Sequence, residues 1–289
     1  MALGCALSWG FSVILFKKAE EVPPHGMNLF KNAFATILLA LTLLVLGQGV
    51  DWHRSNGDWA RLAVSGTLGL AVADTLFLEA LRRLGPGLLA IIDCIYAPLV
   101  VLFSVLLLGE HLGLAFLGGS VLVVGGILVA TRPDRSATAI ATPRAQIIGG
   151  VLGAISVLLM AFAIVLVKPA LERSSLIEVT GVRLFFGTVT LLPYVLLRRD
   201  RWRVLSVLGP QPSWRRLVPA AFLGTYVSMI LWVGGTKYTD ASIASVLNQM
   251  SVVFTLILGR VFLGEPLSGR RMWGGGASLA GAILILVAS

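Results

Sequence analysis

Charge is what this sequence has least of. Asp, Glu, Lys and Arg make up 13% of the residues against 57% hydrophobic, about half the charged share of a water-soluble domain. So few charges cannot cover a surface in water, which excludes a soluble globular protein. Cysteine is nearly absent: Cys5 and Cys94 both lie inside apolar runs, so no disulfide framework is expected. His25, His53 and His111 fall in or beside polar breaks and form no cluster, so no metal site is expected. No G-x-S-x-G elbow, P-loop, soluble ATPase domain or phosphorylatable acidic motif is present. That argues against a membrane-embedded enzyme and against direct coupling to ATP. No catalytic residue and no cofactor is implied.

What is abundant is apolar helix. A spanning helix takes about 20 apolar residues. On that measure the sequence predicts ten helices, at 2–19, 27–47, 60–82, 87–108, 112–131, 146–167, 177–197, 216–236, 241–263 and 271–288. The breaks carry turn signals such as Pro23-Pro24, Asn56-Gly57, Gly85-Pro86 and Gly209-Pro210. The expected fold is all-α and integral to the membrane, multi-pass in the cell (inner) membrane, with the lipid bilayer as its main surroundings. Met1–Ala19 lacks a basic n-region and a small-residue cleavage site, so it reads as a retained first helix. The chain begins almost inside that helix, which fits a short N-terminal tail missing from it. The net charge of +9 would suggest nucleic acid in a soluble protein. Here the basic residues flank apolar helices, as insertion requires, and no nucleic-acid partner is expected.

The sequence repeats itself. The stretch Gly85–Leu112 returns as Asp240–Leu267, with Gly109-Glu110-x-Leu112 echoed by Gly264-Glu265-x-Leu267 and Asp93 opposite Asn248. Phe11–Ala19 matches Phe162–Ala170, Lys31 aligns with Arg183, and Leu76–Arg82 matches Leu231–Lys237. Gly119 and Gly126 match Gly274 and Gly281. Two halves follow, 1–135 and 140–289, with five helices each. Five is odd, so the second half enters the membrane inverted. Inverted repeats place a substrate site between the halves near mid-bilayer, in the manner of alternating-access transporters. Of the 23 Lys and Arg residues, 17 follow odd-numbered helices, which puts those loops in the cytoplasm and both termini outside.

The repeated G-E-x-L stops, the paired glycines at 119/126 and 274/281, and the Leu81–Gly87 step into helix four resemble the drug/metabolite transporter superfamily, EamA type. The resemblance covers essentially the whole chain. It implies a ten-helix basket around a central cavity, with helices five and ten at the periphery. It also implies a carrier of small molecules: amino acids and other metabolites, drugs or sugar derivatives. The YddG-like aromatic amino-acid exporters are the leading match. No motif specifies the substrate.

Candidate cavity residues come from polarity at depth. Asp74 and Asp93 flank the turn between helices three and four at comparable distances, which places both roughly 10–15 Å deep. A carboxylate there costs at least about 2.5 kcal/mol on insertion scales. It must face a wet cavity, carry a proton or be paired. Either acid can meet a substrate ammonium, or it can be a structural pair between helices. Asn248 and Gln249 sit opposite Asp93 and Cys94 in the repeat and can bind substrate or hold neighbouring helices together. Trp9, Tyr96, Tyr226 and Trp232 lie within helices rather than at the interfacial belt. With Met160, Met229 or Met250 they can stack on an aromatic substrate, although packing is the commoner role. Lys168 ends helix six, where snorkelling is the ordinary role. With Arg183 in helix seven it can attract a carboxylate. Pro98 lies in the middle of helix four and is expected to bend it for cavity shape or gating. The paired glycines permit close contact, joining helices five and ten or forming a dimer face, so monomer and homodimer are both open. The reading favoured over an enzyme, scaffold or channel subunit is a secondary transporter that exports small metabolites, amino acids with aromatic or other apolar side chains foremost. A multidrug or sugar-type carrier is the alternative.

Overall fold

The computed structural model describes residues 1–19, 21–110, 113–131, 143–263 and 269–288. They form ten helical passes with no strand among them. Helix one is Ala2–Lys17 and helix two Pro24–Val45. Helix three starts at Asn56–Ser65, where the Ser55 side chain caps the Asp58 N–H, and continues as a π-helical stretch, Gly66–Ala73. The element Asp74–Asp93 completes helix three and begins helix four, which continues as Tyr96–Leu108. Helix five is Leu114–Thr131, helix six Pro143–Glu172 and helix seven Leu176–Leu196. Helix eight comprises Trp214–Ala221, a second π-helical stretch Phe222–Val227, and Ser228–Tyr238. Helix nine is Ala241–Asn248 and Met250–Leu263, and helix ten is Gly269–Ala288. Five of these passes are long and apolar enough to cross a membrane by themselves, and five apolar helices are shorter, 10–17 residues.

The chain reverses within Asp74–Asp93, although helical backbone runs throughout. Helix six is the ruler. Ala73 accepts a hydrogen bond from Ser156, and Leu84 lies against Gly149. Beyond Leu84 the order inverts: Leu89 and Ile92 contact Gly153, and Phe103 meets Phe162 with ring centroids 5.6 Å apart. The sequence placed this turn near 84–87.

The repeat is visible in the packing. Helix six of the second half lies against helices three and four of the first. Helix one of the first half lies against helices eight and nine of the second. Ser12 donates to the Ala220 carbonyl at 2.8 Å, and the equivalent pair of positions is joined again, with the hydroxyl now on the other member, where Ser65 donates to the Ala163 carbonyl at 2.6 Å. Ser156 on the Ala73 carbonyl has its image in Cys5 on Ser228, at 3.2 Å. Both π-helical stretches occupy the same position in their repeats.

Helices five and ten pack directly on one another, along the glycines. A Cβ on Gly126 would lie 2.5 Å from the Gly274 carbonyl oxygen, and one on Gly281 2.6 Å from that of Gly119. Only hydrogen fits at these crossings. Ser278 stitches the seam by donating to the Val123 carbonyl at 3.0 Å. The glycine faces are thus consumed inside one chain.

The first G-E-x-L stop has a physical cause. Gly109 ends helix four with φ of 69°, a conformation that glycine adopts without strain. Glu110 then reaches across to the second half. Its carboxylate accepts from the N–H groups of Ala241 and Ser242 at 2.9 and 3.2 Å and from the Ser242 hydroxyl at 2.6 Å. It therefore caps the start of helix nine, where the positive end of the helix dipole favours an anion. The second stop, at 264–267, lies outside the described residues, as does His111.

Candidate functional site: a central cavity between the halves

The cavity between the halves holds about 730 Å³ of space not filled by protein atoms, open solvent included. Its wall is built from repeat-related positions. Helices one and six supply Trp9 and Met160. Helices three and eight supply Asp74 with Phe77 and, at the matching places, Met229 with Trp232. Helices four and nine supply Asp93 with Tyr96 and, opposite them, Asn248 with Ser251. Gln249, Lys31, Cys5 and Ser228 complete the polar part.

The charges in this wall are arranged by burial and pairing. The Lys31 ammonium donates to Asp74 at 2.5 Å and to the Asn32 side chain at 3.2 Å. Its side chain is 3% exposed. Asp74 thereby serves as the counterion of Lys31, bridging helices two and three. Asn28 and Asn32 extend the network by donating to the Leu70 carbonyl, each at 3.1 Å. A π-helical stretch displaces backbone hydrogen bonds, so carbonyls such as this one are available to side chains. Asp93 is different. Its carboxylate has no hydrogen-bond or ion-pair partner among the described residues, and only its backbone carbonyl is engaged, by the Gln249 amide at 2.8 Å.

That last contact marks a break in both helices. Helix four is interrupted at Cys94 and Ile95, and helix nine at the repeat-related Gln249. In helix four Pro98 offers no N–H to the Cys94 carbonyl one turn earlier, which favours the interruption. Helix nine has Val253 at the equivalent place and breaks nonetheless. A break at this position therefore does not require proline, and Pro98 itself lies on the exposed face of the bundle, away from the cavity.

Other sequence candidates lie elsewhere. Lys168 is absent from the cavity wall; it donates to Glu110 at 3.1 Å and to the Thr239 carbonyl at 3.2 Å. Tyr226 shares a 2.7 Å hydrogen bond with Thr42 and stacks on Phe222. Arg183 sits just behind the wall, 1% exposed, with its guanidinium 5.4 Å from the Trp232 ring centroid. Trp232 in turn donates to the Tyr96 hydroxyl at 3.2 Å. Lys31, Phe77 and Glu110 are not among the sequence-based site candidates. The alignment of Lys31 with Arg183 and the repetition of Glu110 were the signals available for two of them. Lys31 and Arg183 are also buried rather than loop residues, so each drops from its side of the charge count that orients the chain.

One end of the bundle is clasped by buried ion pairs between the halves. Besides Glu110–Lys168, the Arg54 guanidinium donates to Glu178 at 2.7 Å and to Ser174 at 3.0 Å. Burial alone would raise the pKa of the Glu110 carboxyl. The Ser242 hydroxyl, the Ala241 N–H and Lys168 outweigh it and hold the group below the usual glutamate value. At the other end the inter-half contacts are more exposed, with Arg216 donating to the Lys18 carbonyl and to Glu21.

The comparison with known proteins agrees with this arrangement. The EamA-like transporter family matches residues 1–132 and 147–287. The chain belongs to that family. This EamA-type transporter is 27% identical over 256 residues to Protein PecM of Dickeya dadantii, covering 84% of this chain and 79% of that one. It is 22% identical over 279 residues to an uncharacterized transporter of Archaeoglobus fulgidus, covering 96% and 94%. A solved protein crystal structure shares the fold at a TM-score of 0.78 and 18% identity, over 99% of this chain and 95% of that one. The transporter is a multi-pass membrane protein of the drug/metabolite transporter superfamily.

Proposed function

We propose that this transporter exports small amphipathic metabolites from the cytoplasm, amino acids with aromatic or other apolar side chains foremost, by alternating access through the central cavity. The observation that carries the reading is the wall itself. Trp9, Phe77, Tyr96 and Trp232 share the cavity wall with Asp93, whose carboxylate has no hydrogen-bond or ion-pair partner among the described residues. The rings and Met160 and Met229 suit an apolar body through stacking and soft contact. Asp93 suits an amine. A sugar-type substrate would want more donors and acceptors around its hydroxyls than this wall offers, which ranks that alternative lower.

The two halves, 1–135 and 140–289, are the moving bodies. The buried pairs Glu110–Lys168 and Arg54–Glu178 hold one end closed. The charge asymmetry of the loops supports an outer position for that end in the cell (inner) membrane, with the cavity then facing the cytoplasm. One chain forms the entire cavity and uses its glycine faces internally, so a monomer suffices as the transporting unit.

The test is flux in proteoliposomes against a panel of amino acids, cationic drugs and sugars, with and without a pH gradient. Apolar amino acids are expected to be carried best. Absence of flux for every compound would sink the transporter reading, and preference for sugars would sink the substrate class.

A further inference from the structure

Two buried cations occupy repeat-related positions, and only one has an acid. Lys31 has Asp74. Its equivalent is Arg183, and the position equivalent to Asp74 is Met229, which cannot serve as counterion. Arg183 Nε donates to Ser65 at 2.9 Å, while both terminal nitrogens, Nη1 and Nη2, are buried without a hydrogen-bond partner among the described residues. A buried guanidinium with two free donor groups is costly, and its presence calls for an anion. Asp93 is the converse, a carboxylate on the cavity wall with no cation or donor on its oxygens among the described residues.

Lys31 and Asp74 cancel. One unmatched positive group and one unmatched negative group remain, on either side of the hydrogen-bonded pair Trp232–Tyr96. Arg183 stands behind Trp232. Asp93 stands three residues before Tyr96, across the helix break. Resting on the transporter reading above, we propose that the site recognises a zwitterion. The ammonium of an α-amino acid meets Asp93, its carboxylate meets the Arg183 guanidinium once Trp232 turns aside, and its apolar side chain lies among Trp9, Phe77 and Met160. Guanidinium suits the carboxylate because its planar fork offers two parallel hydrogen bonds. An amine without the carboxylate leaves Arg183 unmatched, and an acid without the amine leaves Asp93 unmatched.

The experiment is competition against transported L-phenylalanine by the full chain in proteoliposomes. The competitors are phenethylamine, which lacks the carboxylate, and 3-phenylpropionate, which lacks the amine. The wild-type protein needs no substitution for the first readout: phenylalanine is expected to compete at least tenfold better than either. Arg183→Gln is expected to erase the advantage over phenethylamine selectively, and Asp93→Asn the advantage over 3-phenylpropionate. Arg183→Lys should restore part of the first preference. Transport of phenethylamine equal to or better than phenylalanine by the wild type overturns the zwitterion assignment and leaves the transporter reading standing. So does an Arg183→Gln protein that transports with the preference intact. Absence of flux for these and every other compound tried overturns both.

Discussion

The two halves offer the same positions to the cavity with different chemistry. The first half supplies Lys31, Asp74 and Asp93, all charged; the second supplies Met229, Asn248, Gln249 and Ser251, all neutral, and keeps its one equivalent cation, Arg183, behind Trp232. The scaffold, by contrast, is shared to the level of paired positions, π-helical stretches and helix breaks. Backbone geometry and close packing have been kept in duplicate, while the side chains that line the cavity have diverged. An asymmetric molecule needs such divergence, because two identical walls related by a two-fold axis would present it with the same group twice.

The largest effect that can break this comparison is at its paired charges. Asp74→Asn leaves the Lys31 ammonium buried without its counterion and is expected to cost about 3–5 kcal/mol, read as a lower melting temperature in detergent. Lys31→Met together with Asp74→Leu should recover most of that loss, since an apolar pair tolerates the site. Arg183→Met has no counterion to orphan and is expected to leave melting nearly unchanged. A loss as large as that of Asp74→Asn would show that Arg183 is matched after all.

The shared scaffold gives the next effect. Gly126→Val forces a side chain into the Gly274 carbonyl and should cost about 1–3 kcal/mol through overpacking, with helix five no longer seated on helix ten in cross-linking. Smaller again is Glu110→Gln. It removes a charge that accepts from Ser242, two backbone N–H groups and Lys168, and is expected to cost about 2 kcal/mol. Because the folded-state pKa of Glu110 lies below its ordinary value of 4.5, the contribution is complete above that value and is lost as pH falls through the depressed one. The melting difference between wild type and Glu110→Gln should therefore be full at pH 7 and close only in acid below 4.5. The smallest effect is expected from Pro98→Ala. Helix nine breaks without proline, so helix four should keep its interruption and transport should be little altered. A severe transport loss would restore proline as the gating element.

Much of the fold was legible because its causes are local. Apolar length marks a pass, Gly-Pro and Asn-Gly mark turns, and recurrence at a fixed spacing marks a repeat. The depth of Asp74 and Asp93 followed from counting residues from a turn. Their difference did not. Asp74 is neutralised by a lysine forty-three positions earlier in the chain, and nothing near Asp93 in sequence shows that it lacks such a partner. Lys168 and Arg183 looked alike as inward cations. Only the crossing of Glu110 from the other half separates the satisfied one from the unsatisfied one. Tyr226 had the same standing as Tyr96 until the phase of each helix placed one on Thr42 and the other in the cavity wall.

By itself, then, the sequence determined an all-helical membrane protein of two inverted repeats, with a central cavity between them, and the kind of residue that would line it. Those properties depend on hydrophobic length, turn chemistry and periodicity, each carried by neighbouring residues. The tertiary structure decided which buried charges cancel and which remain, that the G-E-x-L glutamate caps a helix of the opposite half, and that helices four and nine break where they face each other. Each of these depends on contacts between residues far apart in the chain, where rotation about the helix axis determines whether a side chain meets a partner or open space.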